Sequence, residues 1–147
     1  MNPLRLILVL CMLGLVVSGY LTYLHFRPDK LDTSFCNINS YLSCSTVNKS
    51  SYAWFFGVPV SAIGMLGFLL MGGLALSGFQ YKRVGIFFSS LAALGFMMYL
   101  TAAEVFIIGA VCVFCVVVAL IVLDIFILSW KHFGKESVRF VREIRVE

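Results

Sequence analysis

The chain has 147 residues, 61% of them hydrophobic and 12% charged, against roughly 45–50% apolar and about 25% charged in ordinary soluble domains. That balance excludes a disordered chain, a nucleic-acid binder acting through a basic face, and almost any water-soluble enzyme of this size. A formal charge of +4, from 11 basic and 7 acidic residues, is too small to define an anionic partner, so where the charges lie matters more than their sum.

A spanning helix needs about 20 apolar residues, at about 1.5 Å each, to cross about 30 Å of hydrocarbon. The first candidate runs from Leu6 to Phe26. Its apolar stretch continues past the small residues Val17-Ser18-Gly19 and is too long for a signal-peptide core, so it is read as a retained anchor helix. Residues 27–54 follow as a polar loop containing Cys36 and Cys44. The second span, Val58 to Phe79, carries no charge, and Gly57, Ser61, Gly64 and Gly67 give it small residues for close helix packing. A third span covers Gly85 to Ala103, and a fourth covers Val111 to Trp130, interrupted only by Asp124. The expectation is an all-α integral membrane protein, a bundle of four transmembrane helices with a large outer loop between helices 1 and 2. Residues 1–130 would form the membrane domain and 131–147 a basic cytoplasmic tail.

Basic residues set the orientation. With the N-terminus inside, the inner side holds Arg5, Lys82, Arg83, Lys131, Lys135, Arg139, Arg142 and Arg145, and the outer side only Arg27, Lys30 and Lys49. This asymmetry satisfies the positive-inside rule, so both termini are expected in the cytoplasm and the 27–54 loop outside. In the tail, Val138, Val141 and Ile144 recur at helical spacing among the arginines. So narrow an apolar face fits a solvated orientation anchor better than a membrane-surface helix.

Sidedness turns the five cysteines into a pattern. Cys36 and Cys44 lie in the outer loop, and Cys112 and Cys115 open the fourth helix at the same face. Cys11 lies near the inner end of the first helix, about 20 Å away. A disulfide needs Cα atoms within about 7 Å, so Cys11 is read as a small core residue. Cys112-Val113-Phe114-Cys115 is a C-x-x-C motif at a helix N-terminus, where free N–H groups and the macrodipole favour a thiolate. Both sulfurs border the hydrocarbon, within reach of a lipid-soluble electron acceptor. A structural zinc is disfavoured, because Val113 and Phe114 lack the turn character of a zinc knuckle and the other pair is eight residues apart. A static loop staple and a pair of inert buried thiols are the remaining alternatives. Two pairs on one face favour disulfide exchange between loop and membrane.

In this order the motifs resemble the vitamin K epoxide reductase family in its bacterial branch. The resemblance spans Leu6 to Trp130. It rests on Cys36, Cys44-Ser45, Ser50, Ser51-Tyr52-Ala53, Phe56-Gly57-Val58-Pro59 and the run from Ile108 to Cys115. It implies a four-helix bundle around a quinone pocket near the outer surface, with no metal. Cys112 and Cys115 would be the active-site pair, with Cys115 nearest the quinone. Cys44 would pass electrons to Cys112, and Cys36 would meet the external thiol protein. Ser50, Ala53 and Phe56 would line the pocket, with Phe114 beside them as a further quinone contact. The quinone would be of the menaquinone, ubiquinone or vitamin K type. Many bacterial members carry a fused thioredoxin-like domain after the fourth helix. Here only a short tail follows, so the expected partner is a separate thioredoxin-like thiol protein. Animal members have a tyrosine four residues after the second active-site cysteine, where this chain has Ala119.

The expected activity is therefore a quinone-dependent thiol oxidoreductase supporting disulfide formation, placed in a bacterial inner membrane. The alternatives are a reductase acting on the vitamin K epoxide itself and a non-enzymatic, disulfide-stapled scaffold. The disulfide bond formation protein B family shares the chemistry but has its cysteine pairs in the reverse order. Glu104 lies two helical turns before Cys112. It could supply a proton to a quinone, but the simpler reading is an interfacial carboxylate in contact with water. Asp124 is far from the thiols and receives no catalytic role.

Overall fold

The computed structural model describes residues 2–146. The side chains of Glu136, Ser137, Arg139, Phe140, Val141, Glu143 and Ile144 lie outside the described residues, and with them most of the expected amphipathic pattern of the tail. Helix α1 (Pro3–His25) starts where the Asn2 side chain accepts a hydrogen bond from the Leu4 N–H (3.2 Å), with Pro3 in the first turn, where its missing N–H costs nothing. Pro28 then opens the short helix α2 (Pro28–Asp32). Helix α3 (Cys44–Lys49) is capped by Ser43, whose hydroxyl oxygen accepts from the Thr46 N–H at 3.3 Å. A 3-10 turn (Ser51–Ala53) leads into a two-stranded antiparallel hairpin, β1 (Trp54–Phe55) and β2 (Val58–Pro59), with Trp54 opposite Pro59 and Phe55 opposite Val58. Its two turn residues, Phe56 and Gly57, have φ of 50° and 79°. A type I′ turn requires such a pair of positive values to match the twist of the strands.

Three long apolar helices follow. Helix α4 (Val60–Leu76) is shorter than the expected second span because Val58 and Pro59 belong to β2 and Ser77 adopts an extended conformation. Helix α5 (Lys82–Ala103) continues into a π-helical turn, Glu104–Ile108, closed by the Gly109 N–H donating to the Glu104 carbonyl at 2.9 Å. Gly109 has φ of +69°, which stops the helix. Helix α6 (Val113–Val146) passes Trp130 and Lys131 without a break. Among the described residues three segments are long and apolar enough to cross a membrane: Pro3–His25, Lys82–Ile108 and Val113–Lys135. The 17-residue α4 is apolar but shorter, about 25 Å long at 1.5 Å per residue.

Helix α1 packs on α4 and α6, and α5 packs on α4 and α6, which closes a ring. The outside of the ring is greasier than a soluble surface. Val16, Leu66, Phe88, Met98 and Leu120 are all exposed, whereas Ser18, Ser90, Glu104 and Ser129 are buried. With lipid outside there is little hydrophobic drive between helices, so close fit and polar contacts hold them. Gly14 receives the Phe68 ring, Gly64 faces Ser18, and the Thr22 hydroxyl donates to the Ser61 hydroxyl oxygen at 3.1 Å. Of the small residues expected to pack α4, Gly57 instead lies in the hairpin turn and Gly67 faces open space.

Two buried clusters result. One, in the middle of the bundle, contains Ile7, Cys11, Phe68, Met71, Ile121 and Ile125. The other, at the end where α1 stops and α4 begins, contains Leu21, Cys36, Cys44 and Cys112.

Candidate active site

Main-chain contacts bring the loop cysteines to α6. Leu42 and Val111 form an isolated parallel bridge, in which the Ser43 N–H donates to the Val111 carbonyl (3.2 Å) and the Val111 N–H to the Tyr41 carbonyl (2.7 Å). Asn37 ties the rest of the loop together. Its amide donates to the carbonyls of Leu31 (2.8 Å) and Asp32 (3.1 Å), and its oxygen accepts from the Ser43 hydroxyl (3.2 Å) and the Ser45 N–H (3.1 Å). Such an amide replaces water for four polar groups at once. Lys49 adds an exposed ion pair to Asp32 at 2.7 Å.

These ties place three sulfurs within 4.8 Å of one another. Cys36 and Cys44 are joined as a disulfide with Cα atoms 5.5 Å apart. Cys112 carries a free thiol, whose Sγ lies 2.8 Å from Cys44 Sγ and 3.9 Å from Cys36 Sγ. All three residues are buried. Metal ligation requires thiolates, and the disulfide removes two of the three from that form.

Cys112 immediately precedes α6 and its carbonyl accepts the first helical bond, from the Val116 N–H at 3.1 Å. Cys115 lies one turn on, also as a free thiol, hydrogen-bonded to Cys112 and to Glu104. Glu104 is only 5% exposed, and its Oε2 accepts from the Cys112 N–H at 3.2 Å. The expectation of a water-facing carboxylate does not hold. The chain turns back after Glu104 at Gly109, and the start of α6 covers the carboxylate and leaves the two cysteines as its hydrogen-bond partners.

A cavity of about 430 Å³ opens beneath this cluster between α1, α4, α5 and α6. Cys44, Ser50, Ala53, Glu104, Cys112 and Cys115 line its thiol end, and Phe68, Met71, Phe96 and Val118 line its apolar remainder. A volume of this order, apolar with a few convergent polar groups, is typical of a small-molecule site.

The residues expected at the site thus divide. Cys36, Cys44, Cys112 and Cys115 come together. Ser50 and Ala53 reach the cavity wall, with the Ser50 hydroxyl donating to the Val47 carbonyl at 2.6 Å. Phe56 does not line the cavity and is 93% exposed at the hairpin tip. Phe114 also points elsewhere, packing edge-on to Tyr20 with ring centroids 5.5 Å apart. Cys11 belongs to the mid-bundle cluster. Reading the sequence missed Asn37, although an Asn beside a loop cysteine is a common turn-forming signal. His25, at the end of α1, is paired through Nδ1 with Asn48 Oδ1 at 3.1 Å and stacked edge-on to Trp54.

A family model described as "Vitamin K epoxide reductase family" matches residues 5–130. Among curated proteins, the thiol-disulfide oxidoreductase LTO1 of Arabidopsis thaliana is 27% identical over 142 residues. That match covers 88% of this chain and 36% of the plant protein, so the chain spans little more than a third of that relative's length.

Proposed function

We propose, since this chain belongs to the vitamin K epoxide reductase family, that it is a membrane oxidoreductase that moves electron pairs from a thiol protein to a quinone. The observation that carries this reading is the chain of sulfurs: a loop disulfide in contact with Cys112, and Cys115 one turn further on at the wall of an apolar cavity. Disulfide exchange proceeds by thiolate attack on a neighbouring sulfur, so a row of adjacent sulfurs forms a path for electron pairs.

The steps follow that row. A reduced thioredoxin-like protein attacks Cys36 and opens the Cys36–Cys44 bond, and the partner's second thiol then displaces Cys36, so the partner leaves as a disulfide and the loop pair as a dithiol. Cys44 then attacks Cys112 of an oxidised Cys112–Cys115 pair, Cys115 leaves as a thiolate, and Cys36 attacks Cys44 to restore the loop disulfide. The chain described above, with its loop pair oxidised and Cys112 and Cys115 reduced, corresponds to the state after this transfer. A bound quinone would supply a sink for two electrons and two protons. Cys115 faces that sink, Ser50 and Ala53 border it, and re-forming the Cys112–Cys115 bond completes the cycle. The cavity fits such a ligand, because its walls suit a lipid-soluble ring and chain while its few polar groups gather around the thiols.

We read all four long helices, α4 included, as membrane-crossing, with the thiol cluster at the outer face and both termini in the cytoplasm. Residues 1–130 form the membrane domain and 131–147 the basic cytoplasmic tail. The distribution of basic residues supports that orientation. The product of the cycle is disulfide bonds in proteins on the outer side of the membrane.

The test mixes purified protein, a reduced thioredoxin-like protein and a quinone, and follows quinol formation. Turnover is expected in the wild type and absent in Cys115→Ala. Quinol formation that survives this substitution would overturn the mechanism.

A further inference from the structure

Oxidising a dithiol releases two protons, and reducing a quinone consumes two. Within a cavity walled by apolar side chains, water is poorly placed to carry them, so a group of the chain itself must do so. Glu104 is the ionisable carboxylate that touches both thiols' residues. It is 5% exposed, it accepts from the Cys112 N–H at 3.2 Å, and it is hydrogen-bonded to the Cys115 thiol. It also lines the same cavity. Among the described residues no cation is one of its hydrogen-bond partners.

This placement has a structural cause. The π-helical turn Glu104–Ile108 sits at the end of α5, held by the Gly109 N–H and ended by the left-handed Gly109. Single π-turns are frequent at functional sites. Glu104 itself keeps regular helical backbone angles (φ −59°, ψ −49°), and the turn after it, with Gly109, reverses the chain so that the Cys112 N–H reaches its Oε2.

We propose that Glu104 is the general acid–base of the Cys112/Cys115 pair, accepting the Cys115 proton and delivering it to the electron acceptor in the cavity. The proposal rests on the thiol-to-quinone reading above. The balance is complete. Two S–H bonds break and one S–S bond forms, the quinone gains the electron pair, and both thiol protons end on its two oxygens. Glu104 carries the Cys115 proton to the acceptor and returns to the carboxylate, and the Cys112 proton follows the same way through the Cys112–Cys115 hydrogen bond. The carboxylate is already within hydrogen-bond reach of the proton it takes, which is the geometric requirement for this role.

Glu104→Gln keeps the size and an oxygen acceptor for the Cys112 N–H but cannot hold a transferable proton. Quinol formation should fall by about 100-fold or more, while reduction of the Cys36–Cys44 bond by the thiol protein in a single turnover keeps its rate. Unchanged quinol formation in Glu104→Gln would overturn the proposal. A second readout involves no quinone, and so separates failure of this proposal from failure of the thiol-to-quinone reading. The rate of Cys115 alkylation against pH, followed by mass spectrometry, should carry in the wild type an ionisation that Glu104→Gln lacks, the coupling to Cys112 remaining in both; identical profiles would overturn it. If Glu104→Gln does not fold, infrared difference spectra of the wild type decide. A carboxyl band must change between the dithiol and disulfide states of Cys112/Cys115, and a silent carboxyl region would overturn the proposal.

Discussion

Cys44 and Cys112, 68 residues apart in sequence, hold their sulfurs 2.8 Å from each other while Cys44 is already bonded to Cys36. Three sulfurs in such contact are arranged for exchange, and the middle one has a choice of two partners. Cys36→Ser should therefore trap a Cys44–Cys112 disulfide, because the thiol that resolves it is gone. Non-reducing peptide mapping should recover that cross-link in high yield with quinol formation abolished. A variant with Cys44 and Cys112 both free would contradict the order of steps proposed above.

Asn37 predicts a different kind of defect. It satisfies four polar groups of the loop, at 2.8–3.2 Å, none of them a sulfur. Asn37→Ala leaves those groups without their partner, at a cost of about 1–3 kcal/mol for each one that water does not reach. The expected result is a lower midpoint of thermal unfolding in detergent and slower reduction of Cys112–Cys115 by the loop pair. Quinol formation from a Cys112/Cys115 pair reduced chemically beforehand should keep its rate.

Ser50 tests the cavity wall. Its hydroxyl donates to the Val47 carbonyl, which leaves its oxygen lone pairs as the feature available to a ligand. One neutral hydrogen bond is worth about 0.5–1.5 kcal/mol, so Ser50→Ala should raise the KM for quinone about 2- to 10-fold with a smaller change in kcat. Steady-state kinetics at varied quinone concentration measures the split.

Packing of α1 against α4 turns on Gly14, where an added Cβ would lie 2.4–2.6 Å from three atoms of the Phe68 ring. Overpacking of this kind costs about 1–3 kcal/mol. Gly14→Ala should lower the thermal midpoint, and pairing it with Phe68→Leu should recover part of the loss. By contrast, Lys49→Ala removes an ion pair whose side chains are 51% and 56% exposed, and should change stability by less than about 1 kcal/mol.

Much of this arrangement was legible in the residues. Long apolar runs mark α1, α5 and α6 because lipid demands uninterrupted helices, and the C-x-x-C at the start of α6 stands out against its greasy surroundings. The loop pair and the α6 pair do meet, as their placement on one face suggested. Helix α4 is less legible: Val58 and Pro59 read as part of an apolar run, but a two-residue hairpin claims them, and single-residue hydropathy does not register a strand so short. Phe56 looked like a pocket residue by its place in a motif, yet the positive φ at the turn sends it outward. Glu104 was hardest, because its burial depends on the start of α6 folding back over the end of α5, a contact between segments that periodicity does not register.

The main-chain bridge between Leu42 and Val111 bears on selectivity against small thiols. By fixing the backbone on both sides of the sulfur contact, it gives Cys44 and Cys112 a high effective molarity for each other, a regime where oriented intramolecular reactions outpace bimolecular ones by orders of magnitude. A free thiol such as glutathione competes only at its bulk concentration, and Cys112 is 1% exposed. In the proposed cycle this routes electrons into Cys112 through the loop alone and insulates it from small-molecule reductants.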